Sequence, residues 1–183
     1  MRYRHGFLVA TPRHQEDPFV QSVVYICEHS TQGSLGLLIN KPLTLSVTDL
    51  IKTSFGVHDH VPVHLGGPVH TQERGFILHR NLGQYWQGTT QLATDLYLTT
   101  TNDLLADLSN YPEDLYKVFV GYTAWQDGQL EYELSQDDWV WMPYDPQVLF
   151  YTEHQEVWRH CYTLLGFSPD QIGCVDPGAI FVH

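Results

Sequence analysis

The sequence predicts a mixed α+β fold in which a largely antiparallel sheet is covered by helices. Three observations carry this. Short apolar runs bounded by turn residues recur along the chain, Val23–Cys27 and Leu35–Ile39 above all, and such runs read as strands buried on both faces. Apolar residues at helical spacing mark separate amphipathic segments between and after these runs. Several strands follow one another with no helix between them, which argues against a regular doubly wound parallel sheet.

In chain order, Gly6–Thr11 reads as a first strand closed by Pro12. Asp17-Pro18-Phe19 predicts a short helical turn, with Asp17 as N-cap and Pro18 at the first helical position. The two apolar runs then give central strands, the first ending in Cys27-Glu28-His29 and the second in Asn40-Lys41-Pro42. Ser46–Asp49 has the form of a capping box, and Val47, Leu50 and Ile51 place a helix over about 46–54. The His-rich segment Val57–His64 reads as a connector leading into a glycine-proline turn, Leu65–Val69. Gly75–His79 and Asp95–Thr100 read as strands, the second with one wet face. Asn102–Ser109 is a short helix capped by Thr101 or Asn102, and Val118–Tyr122 is a further buried strand. Gln129–Leu134 reads as a helix and Trp139–Met142 as an aromatic strand. Glu153–Leu165 is the clearest helix, with Val157, Cys161, Leu164 and Leu165 on one stripe and Gly166 at its end. Ser168-Pro169 opens a last helix or turn. No internal repeat, linker or low-complexity tract interrupts residues 1–183, so the expectation is a single domain.

Composition bounds function. The net charge of −12, with 9 basic against 21 acidic residues, opposes binding to duplex DNA, which needs clustered Lys and Arg at the phosphates. It opposes anionic membranes for the same reason. No apolar run approaches the roughly 20 residues of a membrane span, and Phe7–Ala10 is too short for a signal-peptide core. Three cysteines without framework spacing fit reduced thiols, so a cytoplasmic location is expected.

The ordered blocks FLVATP (Phe7–Pro12), DPF (Asp17–Phe19), SVVYICEH (Ser22–His29), GSLGLLINKP (Gly33–Pro42), LGGPV (Leu65–Val69), RGFILH (Arg74–His79), LTTTND (Leu98–Asp103), GYTAW (Gly121–Trp125) and QLEYEL (Gln129–Leu134) resemble the AlgH/YqgE family of bacterial proteins. The resemblance covers nearly the whole chain and is loose at Gly83–Leu92 and after Phe167. It implies a three-layer α/β/α sandwich, a cytoplasmic bacterial protein, and the transcriptional-regulator label that the family carries through an alginate-production phenotype. No cofactor is expected.

The chemistry-bearing residues allow two kinds of site. On a regular strand Cys27 and His29 share a face, about 6.5–7 Å apart at their Cα atoms. A thiol beside an imidazole can act as a nucleophile; a buried Cys can equally be a small hydrophobe at the end of a core strand. Gly66 and Gly67 can present backbone amides to a ligand or serve only a tight turn. Arg74 can hold a carboxylate or phosphate, and His79 ends the same strand. Tyr122 and Trp125 can wall a pocket with Gln129 reaching across it, or pack as core aromatics. Glu131 and Glu133 read as a solvated helix face. His58, Asp59, His60 and His64 invite a metal reading, but no further ligand is evident nearby, so no metal is expected. The leading expectation is a regulatory or accessory protein that binds a small molecule or a protein partner. Its cleft, at the ends of the central strands, would be lined by Cys27, His29, Asn40, Gly66, Gly67, Arg74, His79, Tyr122, Trp125 and Gln129. The competing class is a hydrolase or transferase using Cys27 and His29. Trp86, Trp139 and Trp141 are available for a homo-oligomer contact.

Overall fold

The computed structural model describes residues 3–51, 61–69 and 75–167. It contains two sheets. The first is five-stranded and antiparallel throughout, built from β1 (Gly6–Ala10), β2 (Val23–Ser30), β3 (Gly33–Leu38), β10 (Thr123–Trp125) and β11 (Trp139–Pro143) in the order β10-β3-β2-β1-β11. The second is six-stranded: β4 (Pro42–Ser46), β5 (Pro62–Leu65), β6 (Gly75–His79), β7 (Thr89–Ala93), β8 (Leu96–Thr99) and β9 (Tyr116–Val120), ordered β4-β5-β9-β6-β8-β7. Only the β5–β9 pair runs parallel.

Side-chain alternation explains the layering. Phe7 and Val9, Val23 and Tyr25, and Leu37 and Ile39 point from the first sheet into a core shared with Phe76, Leu78 and Phe119 of the second. The residues between them, Leu8, Ala10, Val24, Ile26 and Leu38, point to the opposite face. There they meet Leu130 of helix α3 (Gln129–Ser135). On the far face of the second sheet, Val63, Ile77 and Val118 pack against α1 (Val47–Ile51) and α2 (Asn102–Asp107). A strand apolar on both faces must be covered on both. With two such sets of strands the β layer doubles, and helices close its outer faces. Helix α4 (Val157–Leu164) and a π-helical turn at Gln147–Tyr151 join the core between the sheets. Within that core the Trp158 indole and the Tyr162 hydroxyl both donate to the Ala10 carbonyl, at 2.7 and 3.1 Å.

The mixed, largely antiparallel α+β class holds, with the central β layer resolved into two stacked sheets. The capping box forms as expected: the Ser46 amide donates to Asp49 Oδ2 at 2.8 Å, and the Asp49 amide to Ser46 Oγ at 3.4 Å. The Ser46 amide and hydroxyl, both donating to the Asp49 carboxylate, hold it below its ordinary pKa. Residues 52–54 of the expected helix and Ser168-Pro169 lie outside the described residues. Residues 17–19 form a turn rather than a helix, with the Phe19 amide on the Glu16 carbonyl. Four strands emerge where the sequence predicts none: β4, β5 from the His-rich connector, β7 and β10. All are short, and β7 is mostly polar, so periodicity alone does not reveal them.

Candidate functional site

The sequence places Cys27 and His29 on one face; the structure separates them. Pairing between β2 and β3 runs Ile26↔Gly36 and then Glu28↔Leu35, leaving Cys27 as the extra residue of a β-bulge. One extra residue reverses the alternation beyond it. Cys27 therefore joins the core between the sheets, while His29 follows its partner Ser34 to the α3 side. There His29 Nδ1 is 2.8 Å from Ser34 Oγ and Nε2 is 3.4 Å from Glu131 of α3. Burial pushes the Cys27 thiol strongly upward, and the nearby Glu28 carboxylate adds to it. This is the setting of a structural cysteine, with no imidazole to activate it. Ser34 and His29 are both buried, so their hydrogen bond ties the two strands together.

Other expected lining residues are committed to the fold. Asn40 Oδ1 accepts the Val23 amide at 2.9 Å and its Nδ2 donates to the Gln21 carbonyl at 2.9 Å, latching the end of β3 to the start of β2. The Gly66 amide donates to the Val120 carbonyl, and the Gly66 carbonyl accepts the Leu38 amide of the first sheet at 2.9 Å. Gly66 is thus a joint between the sheets, and its amide does not face a ligand. A Cβ there would lie 2.2 Å from the Gly121 carbonyl oxygen; at Gly67 it would lie 2.3 Å from the Tyr122 carbonyl carbon. Close backbone approach requires both glycines. Tyr122 exchanges backbone hydrogen bonds with Val69 and sets its ring against Phe76.

His79 is 2% exposed, with Nδ1 facing the Arg80 carbonyl at 2.8 Å and Nε2 at 2.9 Å from Thr99 Oγ1. Burial lowers its pKa, the Arg80 carbonyl opposing, so the ring is neutral, stacked on Tyr97. Arg74, His58, Asp59 and His60 lie outside the described residues, and among the described residues no His, Cys, Asp and Glu cluster of metal-binding size occurs.

Trp125 and Gln129 do come together, in a cleft of about 380 Å³ beside the Pro68-Val69 turn. Trp125 ends β10 and Trp139 opens β11, the two edge strands of the first sheet. Both indoles reach to Glu133 on α3: their Nε1 groups donate to the same carboxylate oxygen, Oε2, each at 2.8 Å. Gln129, one helical turn before, donates Nε2 to Oε1 at 2.9 Å and accepts the Gln126 amide on its own Oε1 at 3.0 Å. Phe19 and His14 complete the wall, the His14 ring 4.4 Å from that of Trp139. Burial lowers the His14 pKa, opposed by Asp138 and Glu133, and its Nε2 has no hydrogen-bond partner.

The arrangement is a fixed carboxylate under aromatic walls, suited to a cationic or N–H-donating group. The sequence reads Glu133 as part of a solvated helix face and Trp139 as an oligomer contact, and it gives His14, Phe19 and Asp138 no place in a site; the structure brings all five to this cleft. One signal was available: Trp125, Gln129 and Glu133 recur at four-residue spacing, which aligns the last two on one helix face.

The comparisons bear on the whole chain. Residues 7–170 match a family model described as AlgH-like. A UPF0301 protein of Vibrio cholerae is 37% identical over 182 residues, spanning 94% of this chain and 96% of that protein. A UPF0301 protein of Aliivibrio fischeri is 39% identical over 180 residues, spanning 92% and 95%. The solution structure of the AlgH protein from Pseudomonas aeruginosa superposes with a TM-score of 0.79 at 33% identity, covering 96% of this chain and 95% of that one. A Corynebacterium diphtheriae crystal structure shares the fold at a TM-score of 0.73 and 22% identity, covering 90% and 87%.

Proposed function

The chain belongs to the AlgH-like family, and we propose that it is a regulatory or accessory protein that binds a ligand in the Trp125–Trp139–Glu133 cleft. The ligand is a small molecule, or a side chain of a protein partner, that carries an amine, guanidinium or other N–H donor. One observation carries this reading: the Glu133 carboxylate is held by two indole N–H groups and the Gln129 amide at the side of a cleft of about 380 Å³. A polar group so fixed binds without reorganising, which is where affinity is gained. The chain's net charge of −12 draws cationic ligands and disfavours DNA phosphates. Any regulatory effect then passes through ligand state or a partner rather than through direct contact with an operator.

The test uses the intrinsic fluorescence of Trp125 and Trp139 against a panel of amine and guanidinium metabolites, with Gln129→Ala as the control variant. Gln129 is exposed, so its loss spares the core. A saturable fluorescence change weakened in Gln129→Ala supports the cleft. Binding left unchanged by Gln129→Ala, or no response to any cation, sinks the reading.

A further inference from the structure

A second cleft, of about 360 Å³, opens on the other sheet between β5, β9 and the loop that follows the π-helical turn. Lys117 is among the residues that line it. On β9 the residues Lys117 and Phe119 point to the same face, toward the core between the sheets, and Phe150 and Tyr151 line the same cleft as Lys117. Lys117 forms no salt bridge with any described residue. His64 stands beside it on β5, where its backbone partner is Phe119. The residue lines the cleft but is only 3% exposed, and its buried Nδ1 makes no hydrogen bond. An orphaned buried nitrogen is costly, and here it shares a cleft with an amine that no described carboxylate reaches within salt-bridge distance, Glu153 acting on it from farther off.

We propose that this cleft is a carbonyl-binding site in which the Lys117 amine condenses with a small uncharged aldehyde. The Nζ lone pair forms the new N–C bond as the carbonyl π bond breaks onto oxygen. One N–H proton passes to that oxygen through solvent, and the free His64 nitrogen accepts a hydrogen bond from the hydroxyl that results. The second leaves with the hydroxyl group as water, and an imine remains. Glu113, Asp114 and Glu153 at the rim repel anionic carbonyl compounds, which is why the class is uncharged.

The protonation states agree with this geometry. Burial lowers Lys117 to about 8, with Glu153 opposing. Burial, aided by Lys117 and His154, lowers His64 to about 3, the Val118 and Pro62 backbone opposing. At neutral pH the amine is therefore partly free to act as nucleophile, and the imidazole is uncharged and acts only as a hydrogen-bond partner. The proposal is independent of the Glu133 cleft.

The chain has three lysines, Lys41, Lys52 and Lys117, so the experiment is a direct competition. The folded protein is treated at pH 7 with benzaldehyde and cyanoborohydride, and adducts are located by peptide mass mapping. A pKa near 8 leaves about two orders of magnitude more free amine than an ordinary lysine has. Lys117 is therefore expected to be reduced to the benzyl adduct at least about tenfold faster than Lys41 or Lys52. Excess benzamide, which occupies the cleft without condensing, protects it, and His64→Gln slows it several-fold. Equal labelling of all three lysines, label confined to Lys41, Lys52 and the α-amino group, or no protection by benzamide overturns the proposal. Glyoxylate labelling Lys117 as fast as benzaldehyde overturns the restriction to uncharged ligands.

Discussion

At the residue scale, what a side chain can do is set by the face it occupies. Cys27 has the composition of a reactive thiol and the surroundings of a core methyl group. Its thiol is buried and its pKa is pushed up. Alkylation of native protein at pH 8.5 is therefore expected to leave Cys27 unmodified while the unfolded chain reacts, as mass mapping of the two states would show. Glu133 presents the reverse case: an acid expected at the surface that anchors two tryptophans. Glu133→Ala strands both indole donors, each costing roughly 1–2 kcal/mol when left unpaired, so urea unfolding should show a loss of about 2–4 kcal/mol. Glu133→Gln keeps one acceptor oxygen and should lose less; equal stability of all three proteins would remove Glu133 from its anchoring role. The Gln129–Glu133 spacing was legible on paper. Its meaning was not, because the tryptophans that complete it come from opposite edges of a sheet.

Elements carry their own constraints. The bulge in β2 is a single-residue event with a sheet-wide consequence, since it turns His29 toward α3 while Cys27 stays in the core. Period-2 reasoning holds only up to such an irregularity. The Gly66-Gly67 corner is another element-level device. It joins β3 of one sheet to β5 of the other through the Leu38 amide on the Gly66 carbonyl. Gly66→Ala would drive a methyl group to 2.2 Å from the Gly121 oxygen, a contact that only backbone movement relieves. A destabilisation of about 3 kcal/mol or more is expected, read as a lowered melting temperature, together with weakened ligand response in the adjoining Pro68-Val69 cleft. Wild-type stability in this variant would show that the corner gives freely.

For the molecule as a whole, buried histidines make stability depend on pH. His64 has a folded pKa near 3 against an ordinary 6.5, and His5, His14 and His79 are lowered as well, each mainly by burial. A depressed folded pKa means that the unfolded chain binds more protons across the interval. Stability is thus fully present above about pH 6.5 and is lost as pH falls from 6.5 toward 3. His64, almost fully buried, contributes on the order of 4 kcal/mol across that window. Chemical denaturation at pH 7 and pH 5 should show the drop, and His64→Phe should flatten it; an unchanged slope would mean that His64 titrates normally.

The same scale divides what was readable in the sequence from what was not. Sequence by itself determined the family, through the resemblance of its ordered blocks, and the α+β class, the positions of β1, β2, β3 and β6 and most of α4, which are written in local periodicity and turn chemistry. Tertiary structure alone decided that the strands form two sheets, that the Gly-Gly corner joins them, and that Cys27 and His29 part. It also decided that Trp125, Trp139 and Glu133 meet, and that Lys117 and His64 share a cleft. These depend on strand pairing and side-chain direction between residues far apart in the chain, quantities that no local pattern encodes.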